Sequence, residues 1–198
     1  MLQDLYLFRS RDLGIPPGAA FLVIEKYATP FQVGAVGEQS DQVVGTAWIV
    51  QNNEVRLNHG AGVRTSGQIV NNYIHDNGEL GVSSWSAANS GTLVANNEIS
   101  YNNYAGISMG YEAGGMKVGS NLRNLTARGN YVHHNRGAGL WCDGYCSGIV
   151  YQDNIVMFNA DKGIFQEISH SLIAKKCRNW QRFWNPLRVD WRRGDSCR

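Results

Sequence analysis

The 198 residues carry 43% hydrophobic and 17% charged side chains, with 23 Gly and only 4 Pro, which suits one domain with its own core and excludes a disordered or Pro-linked chain. The net charge of +2 hides an asymmetry: residues 1–174 hold 10 Lys/Arg and 14 Asp/Glu, while residues 175–198 hold 8 Lys/Arg and only Asp190 and Asp195. The mildly acidic main body offers no basic surface for nucleic acid, and no stretch approaches the ~20 apolar residues of a membrane span.

Residues 1–20 show no internal repeat and no apolar run of the signal-peptide kind. They read as a cap over the first repeating unit or as the remnant of a longer protein, and the second reading is preferred. From residue 21 the chain becomes repetitive. A loose first unit, "FLVIEKYATPFQVGAV" (21–36), places Ile24 and Val36 at apolar positions and Tyr27 where later units have Asn. Five closer copies of N-x-[VIL]-x-x-N-x-x-x-G-[VIL] follow, at 53–63, 72–82, 97–107, 130–140 and 154–164.

The columns of this alignment carry the inference. Val55, Ile74, Ile99, Val132 and Val156 form one apolar column, and Val63, Val82, Ile107, Leu140 and Ile164 another. Asn53, Asn72, Asn97, Asn130 and Asn154 form a polar column; Asn58, Asn77, Asn102, Asn135 and Asn159 form a second. Gly62, Gly81, Gly106, Gly139 and Gly163 mark a recurrent bend, read as a place for positive φ. Units this short cannot bury their own apolar face and must stack. β-Branched columns favour strands, stacked ~4.8 Å apart. An Asn amide donates and accepts, so an Asn column can satisfy itself as a ladder inside the coil.

Chemistry has its best chance in the extra residues, read as following the last apolar position of copies two, three and four: "SSWSAANS" (83–90), "SMGYEAGGMKVGSN" (108–121) and "WCDGYCSG" (141–148). Insertions at one register gather on one side of a solenoid and can wall a groove. They bring Trp85, Tyr111, Trp141, Glu112, Lys117 and Asp143, with Arg64 and Glu167 at nearby register. Aromatic faces stack on sugars and carboxylates bond hydroxyls, so Trp85, Trp141, Tyr111 and Arg64 are candidate substrate contacts. Glu112, Asp143 and Glu167 are candidate carboxylates for glycoside hydrolysis. Lys117 or Arg64 could instead serve a β-elimination on an acidic sugar, with Ca²⁺ as the candidate cofactor.

His75 and His133 share a repeat position two coils apart, about 10 Å, too far for one metal. They and His134 read as surface or turn histidines, and no metal site is assigned. Cys142 and Cys146 could close a small loop disulfide, a sign of an oxidising compartment. The tail 174–198 departs from the repeat. Leu172, Cys177, Trp180 and Trp184 could form one face of a short capping helix, but a truncated or frame-shifted end is the preferred reading.

The repeat resembles that of the pectate-lyase-like superfamily over residues 45–170. The resemblance implies an all-β chain, a single-stranded right-handed parallel β-helix of about six coils, here with both ends read as incomplete. The division expected is 1–20 cap or remnant, 21–173 β-helix and 174–198 basic Trp-rich tail. The polygalacturonase-type, epimerase-type and pectate-lyase-type catalytic motifs are absent, so no catalytic residue is carried over. The expectation is a polysaccharide- or oligosaccharide-active protein, lyase or hydrolase, extracellular or at the cell surface. The alternative is a non-catalytic binding or structural module of the surface or phage-tail kind.

Overall fold

In the computed structural model the described residues are 49–64, 67–84, 91–119 and 122–167. To these is added the backbone of strands Leu5–Phe8, Phe21–Ile24, Val36–Gly37, His170–Ala174, Arg178–Trp180, Phe183–Asn185 and Arg188–Asp190. Three parallel sheets carry the architecture, and the chain visits them in turn. Sheet one stacks 49–51, 68–70, 93–95, 126–128, 147–152 and 170–174. Sheet two stacks 54–56, 73–75, 98–100, 131–133, 155–157 and 178–180. Sheet three stacks 36–37, 63–64, 80–84, 114–118, 138–142 and 164–166.

Most strands of sheets one and two are three residues long, and each buries its middle side chain where that is described. Val55, Ile74, Ile99, Val132 and Val156 lie in register down sheet two, all buried. Val63, Val82, Met116 and Leu140 do the same in sheet three. Sheet one adds Val50, Ile69, Val94, Ala127 and Tyr151. Small Ala127 neighbours the fully buried Tyr151, so volumes even out along the column.

Both corners flanking sheet two are asparagine ladders. In the first, Asn Nδ2 donates to the next coil's Asn Oδ1 from Asn53 to Asn72, Asn97, Asn130 and Asn154, at 3.2, 3.0, 3.0 and 2.9 Å. The second runs Asn58, Asn77, Asn102, Asn135, Asn159 at 2.8, 2.9, 2.9 and 2.9 Å. Interior members donate their other amide hydrogen to a backbone carbonyl, as Asn102 does to Ile74 O and Asn135 to Ile99 O. From the second member of each ladder on, Oδ1 accepts a second bond from a backbone N–H of the preceding coil, as Asn102 Oδ1 does from Asn77 N. The buried amides of the interior members are thereby fully used, while Asn58 Oδ1, at the start of the second ladder, is buried without a partner.

Two expectations need correction. The Gly column is set by close approach, not by positive φ. A Cβ on Gly62 would lie 2.7 Å from Asn77 Nδ2 and 2.8 Å from Gly81 O; one on Gly139 would lie 2.6 Å from Gly163 O. Positive φ is instead spent just before each ladder Asn: at Asn52, Asn71, Asn96, Gly129 and Asp153 in one corner, and at Leu57, Asp76, Tyr101, His134 and Phe158 in the other. Copy three also uses a different Gly and apolar residue. Gly115 stands in the column and Met116 pairs with Val82 and Leu140, in place of Gly106 and Ile107. The insertion of that coil, 103–113, therefore precedes its sheet-three strand. The less favoured alternative for the tail, a short capping helix over Leu172, Trp180 and Trp184, does not form: 170–174, 178–180 and 183–185 are strands, and Cys177 lies outside the described residues. Among the described residues no helix is long and apolar enough to cross a membrane.

Candidate functional site on the outer face of sheet three

One step past the inward column of sheet three lies an outward one: Arg64, Ser83, Lys117, Trp141 and Phe165, in register. An outer face should meet water, yet Arg64, Ser83, Lys117 and Trp141 are buried. The early insertion of copy three, which brings Tyr111 and Glu112 to Lys117, is part of what covers them.

Lys117 sits at the centre, 3% exposed. Its Nζ donates to Glu112 Oε1 at 3.0 Å and to the Tyr111 carbonyl at 3.1 Å, and lies 2.9 Å from Asp143 Oδ2. It also stands 4.1 Å from the Trp141 ring centroid, a cation–π contact. A buried ammonium needs such compensation, since desolvating it alone costs several kcal/mol. On its other side Trp141 stacks on Phe165 at 5.3 Å between centroids. Its faces are taken by protein.

Asp143 is held by the turn that follows the strand. A disulfide joins Cys142 to Cys146, their Cα atoms 6.4 Å apart; Asp143 N donates to Val118 O at 2.7 Å, and Gly144 takes φ 72°. The expected loop disulfide is thus formed, and it clamps the carboxylate beside Lys117.

The sequence reading overlooked Glu79. It lies in the stretch just before the sheet-three strand 80–84, where the register sets Gly60 on one side and Ala113 on the other. Glu79 is buried, and burial pushes its carboxyl up to about 7; the nearby Glu112 charge adds to this and Arg64 opposes it. Burial also raises Glu112, against the pull of Lys117 and Arg64. The signal available in sequence was a charged residue at a position where neighbouring copies have small ones.

The fold therefore gathers Arg64, Glu79, Tyr111, Glu112, Lys117, Trp141 and Asp143 on one face. Glu167 is not part of the cluster: it is exposed, one coil beyond Asp143, its N–H bonded to Cys142 O. Trp85 lies outside the described residues. His75 and His133, expected at the surface or in turns, are buried on sheet-two strands, each with a carboxylate partner; His134 is in a turn and exposed. Among the described residues no group of three or more His, Cys, Asp or Glu is placed to hold a metal ion.

Comparison with known proteins agrees with this geometry. The family model described as right handed beta helix region matches residues 42–181. The chain belongs to the right-handed β-helix family. Neither the curated proteins nor the solved structures return a match, so the family supplies the fold, and function rests on the site itself.

Proposed function

We propose that this β-helix protein is carbohydrate-active, engaging a polysaccharide on the outer face of sheet three and hydrolysing it with paired carboxylates. Glu79 serves as the proton donor, since a carboxyl titrating near 7 can give and take a proton at neutral pH. Asp143, with its side chain 30% exposed, is the carboxylate nearest solvent and the partner base or nucleophile. Lys117, itself fixed by Glu112, holds Asp143 in place. Elimination is the weaker chemistry, because Lys117 is buried and its Nζ is engaged by Glu112, Asp143 and the Tyr111 carbonyl. The observation that carries this reading is the desolvated Glu79–Glu112 pair on the face that holds the Lys117–Asp143 contact.

A binding-only solenoid is favoured by one feature: the Lys117 cluster satisfies itself and is closed. A screen of neutral and acidic polysaccharides, read for new reducing ends and for unsaturated products, separates the two. Hydrolysis gives reducing ends without unsaturation, and Glu79→Gln or Asp143→Asn lowers the rate by about 10²- to 10⁴-fold. Full activity in both variants sinks the assignment, and binding without product leaves the non-catalytic reading. The Cys142–Cys146 disulfide supports an extracellular or cell-surface location.

A further inference from the structure

Sheet two presents a different surface on its outer side. Tyr73, Glu98 and Tyr131 are in register in consecutive coils, so the two tyrosines stand two coil rises, about 10 Å, apart. Each lies face to face on the histidine two residues along: Tyr73 on His75 with centroids 3.8 Å apart, Tyr131 on His133 at 3.9 Å. The histidines are anchored. His75 contacts Asp76 Oδ2 at 2.7 Å and Glu54 Oε1 at 3.0 Å; His133 contacts Glu98 Oε1 at 3.2 Å and His134 Nδ1 at 2.7 Å. Even so, Tyr73 and Tyr131 remain 38% and 36% exposed. Each ring thus has one face held against imidazole and keeps part of its surface in solvent.

The adjoining corner extends the aromatic surface. Tyr101, His134 and Phe158 follow one another up the coils, with centroids 5.1 and 5.2 Å apart. All three have positive φ, 55°, 53° and 54°, a conformation that a non-Gly residue adopts only against its intrinsic preference. The opposite corner spends Asn, Gly and Asp at the equivalent place. Here exposed rings are kept against backbone preference, a sign that the surface is used.

We propose that this face binds an extended β-linked glycan of neutral sugars, laid along the solenoid axis, with alternate sugar rings on Tyr73 and Tyr131. Alternate residues of such a chain present the same face, and their repeat matches the two-coil spacing of the tyrosines. The C–H-rich faces of its sugars stack on phenol rings. Charge selects the class of glycan. On the strands of this face and the corner after them, Glu54, Asp76 and Glu98 outnumber Arg56 and Arg178, so a polyuronate is disfavoured while hydroxyls find acceptors. The Glu98 side chain, between the two rings, is 43% exposed.

The test uses the whole chain, insoluble cellulose for retention and cellohexaose for calorimetry. Binding is the readout, so the result stands whether or not sheet three is catalytic. The wild type is retained and binds the hexamer; Tyr73→Ala with Tyr131→Ala weakens binding at least tenfold; the corresponding Phe pair keeps it; polygalacturonate does not compete. Circular dichroism confirms that the variants remain folded. No wild-type binding, unchanged binding in the Ala pair or equal competition by polygalacturonate overturns the proposal. So does self-association of the wild type that the Ala pair abolishes, since the face would then serve a second copy of the chain.

Discussion

At the scale of the residue, Glu79 gives the clearest consequence of placing charge on a covered sheet face. Its carboxyl titrates near 7 in the fold against 4.5 when unperturbed, chiefly through burial. Between those pH values the native state holds a proton that the unfolded chain has released. Stability therefore falls as pH rises through this window, by up to about 3 kcal/mol in all, and falls no further on this account above it. Glu79→Gln removes the dependence. Urea unfolding of the two proteins should coincide near pH 4 and diverge at pH 8, with the variant more stable by about 2–3 kcal/mol; equal midpoints at pH 8 would mean that Glu79 ionises without penalty. The same residue shows why a site is harder to read than a fold. A ladder Asn announces itself by recurring, whereas Glu79 matters because its column does not repeat it, and its burial depends on the early insertion of copy three, whose position in the coil the pattern leaves undetermined.

At the scale of the element, the corners decide how each strand hands over to the next. Leu57 holds φ 58° and is 47% exposed, so it bears left-handed strain with little packing return. Leu57→Asn puts there the residue type used at Asn52 and Asn71, and thermal unfolding should show a gain of about 1 kcal/mol. Gly81 is the opposite case: an added Cβ would lie 2.5 Å from Ile99 Cγ2 and 2.8 Å from Gly115 O. Gly81→Ala should cost about 2–3 kcal/mol, whereas Gly110→Ala, with open space and no positive φ, should be neutral within about 0.5 kcal/mol; a Gly81→Ala protein as stable as wild type would refute the close-approach account. The strands, their stacking and both ladders were legible, because columns of β-branched residues and Asn have one economical arrangement. The role of the Gly column was not, because sequence marks where Gly occurs without saying whether φ or contact requires it. Copy three offers two Gly-apolar pairs, 106–107 and 115–116. Only the stack chooses between them, by seating Gly115 beside Gly81 and Gly139.

At the scale of the whole molecule, a stacked coil bonds only to the coils above and below it. Its stability is then a sum of units and of the interfaces between them, and damage should spread by neighbours rather than uniformly. Asn102 tests this from the centre of the second ladder. Its Nδ2 donates to Asn135 Oδ1 and Ile74 O, while its Oδ1 accepts from Asn77 N and Nδ2. Asn102→Ala leaves those four atoms short of a partner in a buried corner, at about 1–3 kcal/mol for each that water cannot reach. Native-state hydrogen exchange should lose most protection at 73–75, 98–100 and 131–133, the strands of the coils that share the broken rungs. Loss at 155–157 should be smaller, because the Asn135–Asn159 rung is intact. Equal loss at all four strands would instead mark the solenoid as one cooperative unit, with the ladders acting on its global unfolding and not coil by coil.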